Sequence, residues 1–234
     1  VPILEYKWTV LTVTTVGIFM STLDASIVVV GLPVVVLDLN TSLVVGVWII
    51  TAYRLMTTIL LVAVGRIADI FGRVKLYNMG FAIFTIGSAL CAISQGAEQL
   101  ILSRIVQGLG GALMFVNGIA IVVDAFDPKE LGTAIGINMM SINAGTIVGY
   151  TLSGVLIGTF GWRSIFAINI PVGIFGTLWS HRRLRELFRP ALKQKLDYVG
   201  ALTFSAALTL LLIALTASEI TSTSSLTMIS ASLL

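Results

Sequence analysis

Long apolar runs constrain this chain more than any other feature. A helix that crosses a hydrocarbon core of about 30 Å needs about 20 apolar residues. Seven stretches reach or approach that length: 8–32, 44–64, 76–94, 100–123, 133–157, 164–180 and 198–217. An eighth starts near Leu226 and runs to Leu234. None alternates apolar and polar residues as the strands of a membrane β-barrel do. The first run is too long for a cleaved secretory signal and lacks a small-residue cleavage site. Composition agrees, with 57% hydrophobic residues, 11% charged and a mean hydropathy of +1.03. A soluble domain carries about 25% charged residues. The 234 residues therefore predict an all-α, multi-span membrane protein. They exclude a soluble enzyme, a disordered chain and a secreted disulfide scaffold. A single cysteine, Cys91, cannot form an internal disulfide. There is no phosphate loop, no zinc-protease signature and no cysteine pair with metal-ligand spacing, so no catalytic residue, metal or cofactor is expected.

Positive charges set the orientation. Lys7 precedes the first run; Arg66, Arg73 and Lys75 lie between the second and third; Lys129 lies between the fourth and fifth. Arg182, Arg183, Arg185, Arg189, Lys193 and Lys195 lie between the sixth and seventh, and Arg163 alone falls on the other side. Basic loops stay cytoplasmic, which predicts a cytoplasmic N terminus. This distribution is one of membrane topology, and no nucleic-acid partner is expected. Within residues 182–197, Leu184, Leu187, Phe188, Ala191 and Leu192 recur at helical spacing among the six cations. The pattern predicts an amphipathic helix on the inner membrane surface, kinked or ended by Pro190.

The chain also repeats itself. Gly65, Phe71 and Gly72 match Gly154, Phe160 and Gly161 at a constant offset. Ile67, Leu76 and Tyr77 face Leu156, Ile165 and Phe166 in the same alignment. One segment follows the second run and the other follows the fifth, on opposite sides of the membrane. That is the mark of a three-plus-three inverted repeat.

Three charges lie inside the runs: Asp24, Arg54 and Arg104. A charge at the bilayer centre costs at least about 2.5–3.5 kcal/mol. A buried carboxyl can take up and release a proton, which makes Asp24 the candidate proton or cation site. Arginine keeps its charge, so each arginine needs water, a carboxylate or carbonyls. Asp24 could couple to Arg104 or to Arg54, and Arg104 has the alternative of reaching outward to the interface. His181 reads as an interface residue. The fifth run carries the glycine pairs Gly132/Gly136, Gly145/Gly149 and Gly154/Gly158, a spacing that lets a neighbouring helix approach closely. The glycines at 108, 110 and 111 sit inside an apolar run and read as packing positions.

These residues resemble the first half of a major facilitator superfamily transporter, over the whole chain. The superfamily's signature between helices two and three is filled by Gly65, Ala68, Asp69, Gly72 and Arg73. The likeness is strongest to the fourteen-helix drug:H+ antiporter branch. The first-helix signature reads Leu23, Asp24, Ala25, Ser26, Ile27 and Val28, then Leu32 and Pro33, with Val29 in place of the usual Asn. The fourth-helix signature appears as Arg104, Gln107, Gly108 and Gly110. Trp162, Arg163, Ile165, Phe166, Asn169, Pro171 and Gly173 resemble the entry to helix six, with Ser164 for a common Trp. The fifth-helix antiporter signature departs: Tyr150 stands for Pro and Ser153 for Gly, although Gly145, Gly149 and Gly154 are in place.

The resemblance implies a six-helix bundle over 1–181, a basic loop over 182–197, and a linker helix with a truncated further helix over 198–234. It implies a secondary transporter in the plasma membrane that exports lipophilic or cationic small molecules on the proton gradient, with no other cofactor. Asp24, Arg104 and Arg54 would serve proton coupling and the substrate cavity. Gly65, Asp69, Gly72 and Arg73 would form a cytoplasmic gate latched to a second half. Gly145, Gly149 and Gly154 would pack helices. The partners implied are the bilayer, a small-molecule substrate, and a missing second half or a second copy. Uniport or symport of a small metabolite, or a membrane remnant or interaction protein without transport, are the alternatives.

Overall fold

The computed structural model describes residues 3–187 and, beyond them, residues 200, 203, 206, 207 and 210, whose backbone is helical. The chain divides into two compact units, Val1–Leu196 and Asp197–Leu234. In the first, α1 spans Ile3–Asp38, α2 Leu43–Phe71, α3 Arg73–Ile93, α4 Ala97–Ala125 and α5 Pro128–Phe160. Two shorter helices follow, α6 at Ser164–Ala167 and α7 at Asn169–Arg183. No strand occurs among the described residues. Helices α1 to α5 are long and apolar enough to cross a membrane. Most of the predicted linker run, and residues 188–197 of the basic loop, lie outside the described residues.

The sixth apolar run is two helices rather than one. Pro171 lacks the N–H that would reach back to the Ala167 carbonyl. The ladder breaks there, with Ile168 as a single turn residue at φ −60°, ψ −27°. Proline is tolerated in the first turn of the helix that follows.

Successive helices alternate in direction, and the two ends are pinned differently. At one end Lys7 of α1 bonds Glu130 of α5 at 2.6 Å. At the other, Asp38 accepts from Trp162 Nε1 at 2.7 Å and pairs with Arg163 at 3.3 Å. Arg163 also donates to the Ser94 carbonyl at 3.1 Å and stacks on Trp162 at 4.3 Å. The repeat is visible in the backbone. Gly72 ends α2 at φ 98° and Gly161 ends α5 at φ 77°, in the left-handed region that favours glycine. These two are the equivalent positions of the sequence repeat, and they sit at opposite ends of the bundle.

Between lipid-facing helices there is no water to expel, so close packing supplies much of the attraction. Gly145 and Gly149 lie on α1. A Cβ on Gly145 would come within 2.9 Å of the Phe19 carbonyl, and one on Gly149 within 2.8 Å of the Leu23 carbonyl. Gly154 does not share that role, since a Cβ there would meet nothing within 4 Å. The stripe at four-residue spacing continues instead through Ser153, whose hydroxyl donates to the Ile27 carbonyl at 2.9 Å. Gly154 is one residue further, about 100° round the helix.

The basic segment after α7 does not begin as a helix. Leu184 is extended at φ −79°, ψ 141°, and three tertiary contacts hold the chain that way. Leu184 is buried in the core. The Tyr6 hydroxyl donates to the Arg185 carbonyl and accepts from the Arg185 N–H, both at 2.8 Å. Glu186 accepts from the N–H groups of Arg73 at 3.1 Å and Val74 at 3.0 Å, an anion placed on the positive N-terminus of α3.

Candidate functional site

Asp24, halfway along α1, is fully buried. Its Oδ2 accepts from Arg104 Nη1 at 2.5 Å. Its Oδ1 accepts from Gln107 Nε2 and from Asn169 Nδ2, each at 2.8 Å. The sequence left Asp24 with two possible partners, and the structure gives it Arg104. Arg104 is itself 0% exposed, so it turns inward rather than to the interface. Arg54 is exposed on α2 and makes no ion pair among the described residues.

Five segments converge on this pair. From α4, Gln107 Oε1 accepts from Arg104 Nη1 at 2.6 Å. From α3, Ser88 Oγ accepts from Gln107 Nε2 at 2.6 Å, and the Cys91 thiol reaches Gln107 Oε1 at 3.7 Å. From α2, the Ile49 carbonyl accepts from Arg104 Nε at 3.3 Å, and the Tyr53 ring lies 4.2 Å beneath the guanidinium carbon. Phe166 of α6 flanks it at 5.8 Å, and Asn169 opens α7. Among the described residues, Arg104 Nη2 is the one nitrogen of the guanidinium without a hydrogen bond. The arrangement joins both halves of the repeat through one carboxylate. Asp24 and Arg104 compensate each other's charge, and a side-chain amide, a backbone carbonyl and an aromatic face surround the guanidinium.

A second cluster sits at the helix α2–α3 turn. Arg73 Nη1 pairs with Asp124 of α4 at 2.7 Å, and Nη2 with Asp69 at 3.1 Å. Gly72 provides the turn, and Gly65 lies two helical turns earlier on the same face of α2, lining a shallow cavity with Asp69, Arg73 and Asn117. His181 is exposed in the last turn of α7, away from both clusters. The sequence reading did not assign Gln107, Asn169, Ser88, Tyr53, Asp124 or Glu186 a role. Gln107 and Asn169 were visible within signature stretches, and Asp124 stood as an acid at the end of an apolar run. Neutral Ser88 and Tyr53 carried no signal.

Residues 14–233 match the family model described as the Major Facilitator Superfamily. The chain belongs to that superfamily. It is 37% identical over 212 residues to the riboflavin transporter RibZ of Clostridioides difficile (strain 630), covering 91% of this chain and 46% of that protein. It is 39% identical over 165 residues to the multidrug resistance protein Stp of Mycobacterium tuberculosis (strain CDC 1551 / Oshkosh), covering 68% of this chain and 30% of that protein. The fold matches an inward-facing, occupied crystal structure of a bacterial homolog of the human lysosomal transporter Spinster. That match has a TM-score of 0.71 at 21% identity, over 83% of this chain and 48% of the other. This superfamily member thus groups with multi-pass membrane transporters and not with enzymes. It spans less than half the length of these curated relatives, and its six-segment bundle is the N-terminal half of the superfamily fold.

The pair makes a stability prediction. Removing one partner of a buried ion pair costs about 3–5 kcal/mol, because the other charge is left uncompensated. Arg104→Leu should lower the thermal midpoint of the full-length protein in detergent accordingly. Adding Asp24→Asn should recover most of that loss. A single Arg104→Leu variant as stable as the wild type would mean that the two charges do not depend on each other.

Proposed function

We propose that the full-length protein is a secondary active transporter that exports lipophilic small molecules in exchange for protons, with this chain as one of its two bundles. The observation that carries the reading is the carboxylate–guanidinium pair inside the apolar helices, sealed from solvent and shared by both halves of the repeat. Protonating Asp24 abolishes its attraction for Arg104 and frees two amide donors. The bundle can then hold two arrangements that differ by one proton, which is what alternating access requires. A second bundle, in the same polypeptide or in a second copy, completes the cavity. The Asp69–Arg73–Asp124 cluster lies where a gate against that bundle would close. Of the relatives' names, multidrug resistance protein Stp favours export, and riboflavin transporter RibZ names a cargo without a direction.

The resemblance implies lipophilic or cationic cargo, and Asp24 is the one acid among the cavity candidates. That acid is buried and committed to Arg104, so it does not support a cation. Uniport or symport is the second reading, favoured by Tyr150: α5 runs uninterrupted through the position where the antiporter signature has a helix-breaking Pro.

The direction of accumulation separates these readings, and Asp24→Asn tests the proton site. In inverted membrane vesicles, the full-length variant should lose at least tenfold of its pH-driven accumulation while keeping downhill substrate movement. Accumulation under a pH gradient equal to that of the wild type would contradict a proton site at Asp24. The plasma membrane, with the basic end of the bundle in the cytoplasm, is the proposed setting. A membrane-impermeant thiol reagent added outside intact cells should label a cysteine at Phe160 and not one at Arg183. The opposite labelling would invert the topology.

A further inference from the structure

A cavity of about 220 Å³ opens between α1, α2 and α4, lined among others by Ser21, Thr22, Tyr53, Thr57 and Phe115. Three of its hydroxyls donate to their own helices. Ser21 and Thr22 donate to the Ile18 carbonyl at 3.0 and 2.9 Å, and Thr57 donates to the Arg54 carbonyl at 2.8 Å. Each is satisfied by its own helix, so the walls present chiefly methyl, aromatic and methylene surface. Tyr53 is shared: one face of its ring supports Arg104, and its hydroxyl edge adjoins the cavity wall at Gly111.

The charge available beside this cavity is positive. Arg54 stands inside the apolar stretch Leu43–Leu61. It lies three and seven residues before Thr57 and Leu61, hence on the same face of α2 as those two lining residues. It is exposed, whereas Asp24 and Arg104 neutralise each other in the interior. The interiors of the described spans therefore carry one uncompensated charge, and it is a guanidinium. Arginine does not shed its proton at membrane depth; it takes a carboxylate, phosphate or sulfonate in a forked geometry. An apolar pocket lined by Thr57 and Leu61, on a helix face that also carries an exposed cation, fits an amphiphile with an anionic group.

We infer that the cargo is an anionic amphiphile whose acidic group is anchored by Arg54 while its apolar body fills the cavity beside Tyr53. This rests on the transport reading above, and it names the substrate class for that reading. Asp24 and Arg54 then divide the work, one exchanging the proton and the other holding the cargo.

The test is binding, measured apart from transport. Two xanthene dyes of matched size are titrated onto purified full-length protein in detergent, an anionic fluorescein bearing a free carboxylate and a cationic rhodamine ester. Fluorescence anisotropy reads the affinities at constant pH. The wild type should bind the anionic dye roughly tenfold or more tighter than the cationic one. Arg54→Gln should erase that preference while still binding the cationic dye, which shows that the variant is folded. Arg54→Lys should restore most of it. Absent or cation-selective binding by the wild type overturns the inference. So does a preference that Arg54→Gln leaves intact, which would assign Arg54 to an acid of the second bundle. Anion-selective binding without pH-driven efflux would instead remove the transport reading and leave the anchor standing.

Discussion

The architecture depends on where one carboxylate finds its compensation. An ionised Asp24 in the middle of α1 is tolerable only if the bundle delivers donors to it from several directions. Three arrive: Arg104 and Gln107 from one turn of α4, and Asn169 from the start of α7. That requirement fixes the rotation of α4 against α1 and brings the broken sixth segment into the interior. The break at Pro171 serves it too, because Asn169 lies in the first turn of α7, just after the interruption. Ser88 and Tyr53 then hold Gln107 and Arg104 in turn, so the neighbouring helices are specified by the same charge. Such a network is costly to assemble and costlier to leave half-satisfied.

The ends of the bundle use charge differently. The partners there are part-exposed and form small clusters: Lys7 with Glu130, Arg73 with Asp69 and Asp124, and Arg163 with Asp38 and Trp162. Each joins elements that are not consecutive in sequence. Exposed pairs contribute little individually, so these clusters fix register more than they add stability. The segment after α7 extends this pattern without a salt bridge. Leu184, Arg185 and Glu186 attach in turn to the core, to α1 and to α3, which draws the exit of the bundle across the helix α2–α3 turn.

Much of this was legible in the sequence. Charge inside an apolar run is expensive, so Asp24, Arg54 and Arg104 stood out at once. The turn chemistry of Gly72 and Gly161 was equally plain, because few residues other than glycine suit those backbones. What the sequence left open required the third dimension. Asp24 and Arg104 are 80 residues apart, and nothing local preferred that arginine to Arg54. The neutral amides of Gln107 and Asn169 carried no burial penalty large enough to mark them. The glycine spacing on α5 suggested three equivalent pairs, yet only Gly145 and Gly149 face α1, because the stripe passes to Ser153 and leaves Gly154 open. The apolar periodicity after α7 pointed to a helix, and it failed at Leu184 because tertiary partners for the backbone outweighed the local pattern.

The proton exchange proposed for Asp24 releases Arg104 when the carboxyl becomes neutral. Infrared difference spectroscopy on the full-length protein, recorded between acidic and alkaline buffer, observes that carboxyl directly. A protonated-carboxyl band should appear on acidification, be absent in Asp24→Asn, and shift in titration when Arg104 is replaced by Gln. A spectrum in which Asp24→Asn removes no protonated-carboxyl band across the working pH range would contradict the account. The buried pair would then be purely structural.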